Sequence, residues 1–287
     1  MSRIAYVNGR YVPHADAAVH IEDRGYQFAD GVYEVVAVFE GKFVDEALHL
    51  ARLWRSLSEL RIAVPMTEAA LSVVMRQVVR RNRVRDGIIY MQMTRGVAPR
   101  DHGFPANPQT QVVMTSRRAK PTSQATLEAG VRVITIPDIR WTRSDIKSVS
   151  LLPVVLGKQA ARDAGAYEAW QVDRDGFVTE GTSTNAWIVT QAGELVTRAP
   201  YHGILNGITR LTLIEIAKRQ GLTLVERPFT VAEAKAAREA FVSSATSLAL
   251  PVSQIDDAVI GNGRAGSFAL GLREQYLAYA AEQRKAG

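Results

Sequence analysis

The chain has no cysteine among its 287 residues. That absence excludes disulfides, thiolate zinc sites, iron–sulfur clusters and cysteine nucleophiles together, and it suits a reducing compartment. Histidine is sparse, and His14, His20, His49, His102 and His202 are scattered, so no metal site is expected. The patterns HExxH, GxSxG and GxxxxGK[ST] are all missing. No apolar run approaches the roughly 18 residues that span a bilayer. The opening stretch "MSRIAYVNGRYVPHADAAVH" lacks the unbroken apolar core of a secretion signal. The expectation is a cytoplasmic protein without membrane partners.

Acidic residues are outnumbered, 29 against 35 lysines and arginines, for a net charge of +6. Much of the excess sits in "RQVVRRNRVRD", with Arg76, Arg80, Arg81, Arg83 and Arg85. No nucleic-acid motif accompanies it, so it reads as a solvated helix face with Val73, Val74, Val78 and Val79 on the buried side. A nucleic-acid-binding protein remains the remote alternative. "GNGRAG" (261–266) matches a dinucleotide fingerprint by letter only, because the chain ends one helix later, and it reads as a turn into that helix.

What is present is an ordinary globular composition, 47% hydrophobic and 22% charged. "IAYVNGRYV" and "GVYEVVAVFEGKFV" read as hairpins turning at Asn8-Gly9 and Glu40-Gly41. Leu50, Leu53, Trp54, Leu57 and Leu60 recur at helical spacing behind Asp45, a candidate cap. A second helix is expected from about Thr67 to Arg83, then strands at "GIIYMQMTRG" and "TQVVMTSR" flanking the Pro/Gly-rich loop 97–108. "AKPTSQA" (119–125) is the candidate linker between a small α/β domain, 1–118, and a larger domain, 126–287. In the latter, "GVRVITIP" is a strand and "LLPVVLGKQAARDAG" a helix with Pro153 in its first turn. Short strands, "GITRLTLIEIAKRQG" as an amphipathic helix closed by Gly221, and a C-terminal helix from about Ala265 follow. The fold class is α+β in two parts, without regular βαβ alternation.

One residue is awkward in that plan. In "RSDIKSVSLLP" (143–153), Lys147 lies between Ile146 and a Ser/Val/Leu run, where an ammonium is costly to bury. A lysine becomes useful in Schiff-base chemistry with pyridoxal phosphate, which also needs three partners. These are a carboxylate for the ring nitrogen, a phosphate site at a helix N-terminus, and a cation for the substrate carboxylate. Glu180 in "VTEGTSTNAW", the helix start near Ile208 and Thr209 in "LNGITRLTL", Arg52 on the first long helix, and Arg100 with His102 in "PRDH" are candidates. Each alone has an ordinary structural explanation.

Taken in order, "DGVYEV", "HLARLWRSL", "RWTRSDIKS", "VTEGTSTN", "NGITR" and "FVSSATS" followed by "PV" resemble the class IV, branched-chain-type, fold-type IV family of pyridoxal-phosphate aminotransferases. Within it, the chain looks most like the D-amino-acid aminotransferases. The resemblance runs over nearly the whole chain. It implies a two-domain architecture with pyridoxal 5'-phosphate (PLP) in the interdomain cleft. Lys147 would form the Schiff base and shuttle the Cα proton, and Glu180 would pair with the ring nitrogen. Arg52, the backbone at Ile208 and Thr209, and the turn containing Ala245 and Thr246 would hold the phosphate. Arg140 would lie near the phenolic oxygen, and Leu205 would pack on the ring face. Tyr33, Tyr90, Arg100 and His102 would trap the substrate carboxylate. In that family the loop residues come from the neighbouring subunit, so a homodimer is implied, with loop 97–108 reaching the partner's site. The implied reaction moves an amino group from a D-amino acid to a 2-oxo acid. A branched-chain L-aminotransferase, an (R)-amine transaminase and an aminodeoxychorismate lyase are alternatives on the same scaffold, and the "PRDH" loop argues against each. Departures from the family pattern are Ala245 where threonine is common, Ser150 where asparagine is common, and no acidic residue in "SLALPV".

Overall fold

The computed structural model describes residues 3–201 and 203–286. The chain divides into two compact units. The first takes in the chain through Lys120 together with Ile146–Ser150, and the second takes in Pro121–Asp145 and everything from Leu151 onward. The main boundary thus falls inside the stretch read as a linker, and helical structure already begins there, at Gln124.

The first unit contains β1 (Ile4–Val7), β2 (Arg10–Pro13), α1 (Arg24–Phe28), β3 (Gly31–Phe39), β4 (Lys42–Phe43), α2 (Glu46–Glu59), α3 (Glu68–Arg81), β5 (Gly87–Thr94) and β6 (Gln111–Arg118). The strands form one antiparallel sheet in the order β2-β1-β6-β5-β3-β4. Both hairpin turns form where expected, with positive φ at Asn8, Gly9, Glu40 and Gly41. Alternation along β3 turns Val32, Glu34, Val36 and Val38 to one face, and all four are buried. The three valines pack with Leu50, Leu53 and Leu57 of α2 and with Leu71, Met75 and Val78 of α3. Two local expectations need correcting. Asp45 occupies the N-cap of α2 in a left-handed conformation and makes no side-chain capping bond. Val73 is 59% exposed, because it falls outside the stripe that Leu71, Met75, Val78 and Val79 turn inward.

The second unit contains α4 (Gln124–Ala129), β7 (Val131–Pro137), α5 (Leu152–Asp163), β8 (Glu168–Val172), β9 (Val178–Gly181), β10 (Asn185–Val189), β11 (Leu195–Thr197), α6 (Ile208–Arg219), β12 (Leu224–Glu226), α7 (Val231–Lys235), β13 (Glu239–Ser244), β14 (Leu248–Ile255), β15 (Ala258–Val259) and α8 (Ser267–Ala286). Its mixed sheet runs β12-β11-β10-β13-β14-β7-β8-β9, with β15 paired to β14. The parallel β7–β8 pair is joined by α5 as its crossover helix. Sequence reading missed β14, which lies between β13 and β7. Pro251 argues against a central strand, yet β14 is accommodated there, with Pro251 opposite Phe241. Trp170, Ile188, Phe229, Val242 and Leu250 are fully or almost fully buried at the centre of the main core.

Among the described residues, no helix is long and apolar enough to cross a membrane, and no group of His, Asp and Glu side chains is placed to hold a metal ion.

Candidate active site

In the first unit, Lys147 is delivered by a backbone splice. β4 covers only the Val38–Phe39 end of β3, and the opposite end pairs instead with the returning segment. Tyr33 N–H donates to the Lys147 carbonyl at 2.9 Å, and Val149 N–H donates to the Gly31 carbonyl at 3.0 Å. Gly31 has no room for a side chain, since a Cβ there would meet the Met93 carbonyl at 2.7 Å. From α2, the Ser56 hydroxyl accepts the Lys147 N–H at 3.4 Å. So restrained, the half-buried lysine holds Nζ 4.3 Å from the centroid of the Tyr33 ring, a cation–π contact.

Tyr33 also meets Tyr90 on neighbouring β5, with ring centroids 5.8 Å apart. The Tyr90 hydroxyl donates to Gln92 Oε1 at 2.7 Å. Burial, helped by the neighbouring Tyr33, pushes the Tyr90 phenol up to about 12, so it stays protonated through the neutral range.

On the other face of β3, Glu34 is completely buried and takes a two-pronged bond from Arg52, Nε to Oε1 at 2.7 Å and Nη2 to Oε2 at 2.9 Å. His49, one helical turn before Arg52 on the same face of α2, places Nδ1 2.8 Å from Oε2. Burial alone would raise the Glu34 carboxyl, but the Arg52 charge and the bonds from His49 and Arg52 outweigh it and hold it well below the usual carboxylate range. Burial lowers His49 more than Glu34 raises it, so the ring is neutral at pH 7. An ionised carboxylate only accepts, and His49 Nδ1 therefore carries the proton. The cation expected at the phosphate is thus held in a fixed orientation.

Loop 97–108 is tied down through its backbone. Arg24 donates to the Asp101 carbonyl at 2.6 Å and the His102 carbonyl at 3.3 Å, and it is itself paired with Asp30. Arg95, also paired with Asp30, lies 3.6 Å from the centroid of Phe104. Arg100 and His102 are exposed and pack on the Phe28 ring. Among the described residues, no hydrogen bond or ring contact joins them to Tyr33 or Tyr90.

In the second unit the candidates gather at one end of the sheet. Glu180, at the end of β9, is 6% exposed. Its Oε1 accepts from Arg140 Nη1 and from the Leu205 N–H at 3.0 Å, and its Oε2 accepts from Asn185 Nδ2 at 3.0 Å. Asn185 also donates to the Leu205 carbonyl at 2.9 Å, so the Leu205 backbone is bracketed. Arg140 further donates to Asp138 at 2.7 and 3.0 Å and to the Gly203 carbonyl at 3.1 Å. Burial opposes its charge, but Glu180 and Asp138 prevail and raise its pKa, so the cation is locked on. Arg140 is therefore first an ion-pair partner of Glu180, a role the sequence reading did not contain.

Gly207 caps α6 without any side-chain cap, which leaves the first-turn N–H groups at Ile208 and Thr209 for other acceptors. A Cβ on Gly207 would collide with Asn185 Oδ1. Asn185 pairs with Ser243, and the next residues form the β13–β14 turn. There the Ser244 hydroxyl bonds those of Thr246 (3.2 Å) and Ser247 (2.8 Å), with half-buried Ala245 between them in the chain.

Sequence reasoning missed Glu34, Asp138, Asn185 and Glu168. Glu168 is fully buried and accepts from the hydroxyls of Thr182, Ser183 and Thr184 and from the N–H of Ser183 at 3.2 Å, fastening the turn that follows Glu180. The only sequence signal for it is an acidic residue opening a strand that is otherwise mostly apolar.

Comparison with known proteins bears on what this arrangement does. A family model described as amino-transferase class IV matches residues 31–255. A curated D-alanine aminotransferase of Bacillus licheniformis is 42% identical over 260 residues, 90% of each chain. One of Listeria monocytogenes is 38% identical over 273 residues, 94% of each chain. Among solved structures, a branched-chain aminotransferase from the thermophilic archaeon Thermoproteus uzoniensis, with norvaline, matches with a TM-score of 0.88 at 26% identity, covering 98% of this chain and 95% of that one. A 4-amino-4-deoxychorismate lyase from Pseudomonas aeruginosa matches with a TM-score of 0.80 at 26% identity, covering 94% and 97%.

Proposed function

This chain belongs to the class IV aminotransferases, and we propose that it moves the amino group of a D-amino acid, D-alanine foremost, to a 2-oxo acid such as 2-oxoglutarate or pyruvate. The observation that carries the choice of donor is the 42% identity with a D-alanine aminotransferase across nine-tenths of the chain. The high structural match to a branched-chain aminotransferase supports the scaffold and does not discriminate between donors, since the lyase shares it too.

The family depends on PLP. The residues present fit that group: a buried carboxylate paired with a guanidinium, an uncapped helix start beside a hydroxyl-rich turn, and a restrained lysine. When bound, the cofactor supplies an electron sink that makes a substrate Cα proton removable. Lys147 Nζ would hold the cofactor and would serve as the base and acid for the substrate Cα proton. Tyr33, against Nζ, limits where the freed amine swings. Glu180, paired with Arg140, would accept the N–H of the pyridine ring. Arg52, oriented by Glu34, would hold the phosphate, as would the N–H groups of Ile208 and Thr209 and the turn at Ala245 and Thr246. Leu205 would pack on the ring face.

Tyr33 and Tyr90 with Arg100 and His102 bind the substrate carboxylate. Fixing that group decides which Cα substituent faces Lys147 and hence which enantiomer reacts. We assign Arg100 and His102 to the site of a second copy in a homodimer, since within one chain they pack on Phe28 rather than on the tyrosines. Leu152, Val155 and Leu156 form an apolar stripe on α5, each more than half exposed, which supports association. A cytoplasmic setting suits the cysteine-free composition.

The test is a visible spectrum of the protein with PLP, before and after D-alanine, with L-leucine and (R)-1-phenylethylamine in parallel. The expected outcome is a yellow band that only D-alanine converts to the pyridoxamine form, and no conversion in Lys147→Ala. A band that answers to L-leucine or the amine instead overturns the donor assignment.

A further inference from the structure

The β13–β14 turn is held from behind by a residue to which none of these roles has been given. Ser244 pairs with Leu248 across the two strands, so Ala245, Thr246 and Ser247 form a three-residue hairpin loop. Such loops close with a residue in the left-handed region, normally glycine. Here that position is Leu248, with φ of 54°, where a bulky L side chain is disfavoured. Arg273 of α8, 9% exposed, donates from Nη1 to the carbonyl of Ser247 at 2.5 Å and to that of Ala249 at 3.2 Å. Those two carbonyls flank the strained residue on either side.

The charge of Arg273 is a second observation. Among the described residues it has no carboxylate partner; its hydrogen bonds go to backbone carbonyls. Burial pushes its pKa down, only partly offset by Tyr167. A buried cation without a counter-charge is costly, and an anion bound at the turn in front of it would offset that cost.

We propose that Arg273 is a positioning residue for the cofactor phosphate: by clamping the carbonyls on both sides of Leu248 it holds the 244–247 turn in its binding shape, and its charge favours a dianion there. The inference rests on the reading of Ala245 and Thr246 as phosphate contacts. It names a role for α8 in cofactor affinity that is separate from the packing of that helix.

The experiment titrates PLP and, separately, pyridoxal, which lacks the phosphate, into wild type, Arg273→Met, Arg273→Lys, Leu248→Gly and the Arg273→Met/Leu248→Gly double variant. Binding is followed by absorbance, the bound phosphate by its phosphorus resonance, and folding by Tm. Arg273→Met should weaken PLP about tenfold or more, the scale of one or two charged hydrogen bonds. It should shift the phosphorus resonance and leave pyridoxal binding unchanged. Leu248→Gly should restore part of the PLP affinity in the double variant, because glycine adopts the turn without a clamp. If Arg273→Met does not fold, Arg273→Lys, which keeps the charge but not the placement of Nη1 between both carbonyls, carries the same comparison. Wild-type PLP affinity in the Arg273 variants, or an equal loss of PLP and pyridoxal, overturns the proposal while the functional reading stands. A wild-type protein that takes up no PLP overturns the functional reading, and this proposal with it.

Discussion

A carboxylate with no exposed surface in the middle of β3 stays ionised only because donors reach it from α2. Glu34 has its folded pKa depressed below an ordinary 4.5, and His49 is likewise depressed below 6.5. Both shifts have the same sign for stability. The unfolded chain binds more protons at these groups than the folded one, so their contribution is present above the unfolded values and is lost as pH falls. Loss should begin near pH 6.5 through His49 and steepen below about 4.5 through Glu34. Glu34→Gln should cost about 3–5 kcal/mol at neutral pH, because it leaves a buried guanidinium uncompensated. It should also flatten the limb below about pH 4.5, as measured by urea unfolding between about pH 2 and pH 7. An acid limb as steep as that of wild type would show that other groups set it. Lys147 and Glu180 are candidates that the sequence names through their motifs. Glu34 is not among them, because an acid amid "VYEVV" reads like any polar residue of an alternating strand, and only the helix packed over it shows that it points inward.

At the scale of elements, the start of α6 depends on a position where a side chain does not fit. Gly207→Ala would drive a Cβ into Asn185 Oδ1, pushing away the amide that bonds both Glu180 and the Leu205 carbonyl. PLP affinity should fall by at least about tenfold. Gly41→Ala makes the contrast. Gly41 has φ of +83° in an open turn with nothing within 4 Å, so alanine there should cost about 1 kcal/mol of stability through backbone strain and leave cofactor binding intact. Titration of PLP into both variants, with Tm alongside, separates the two effects. Equal affinities in the two would remove the Asn185 link. The elements themselves were mostly readable, since hairpin dipeptides, caps and helical periodicity act over a few residues. β14 escaped because its pairing partners stabilise it in spite of Pro251, and no local signal reports a partner strand.

At the scale of the molecule, the assignment of Arg100 and His102 to a second copy has a sharp consequence. Lys147→Ala and Arg100→Ala should each be nearly inactive. Unfolded together and refolded as a mixture, they should recover about a quarter of wild-type activity. Half of the random dimers are hybrids, and each hybrid has one site carrying both defects and one carrying neither. If loop 97–108 served the site of its own chain, no hybrid would have an intact site and nothing would be recovered. The +6 charge played no visible part in this arrangement. Arg76 is paired with Glu46, and Arg81 lies over the Tyr11 ring.

By itself the sequence determined the α+β class, the turns, most helices, and the candidacy of the lysine and glutamate on which the proposed chemistry rests. Each of these follows from residues close in the chain or from motifs whose order is itself a pattern. Only the tertiary structure decided which side chains orient them. The Arg140–Glu180 pair joins residues 40 apart, Arg24 reaches a carbonyl 77 residues away, and Arg273 clamps one 26 residues back. Whether a charged side chain finds water, a carboxylate or a backbone carbonyl depends on what the fold packs against it, and no local pattern encodes that neighbour.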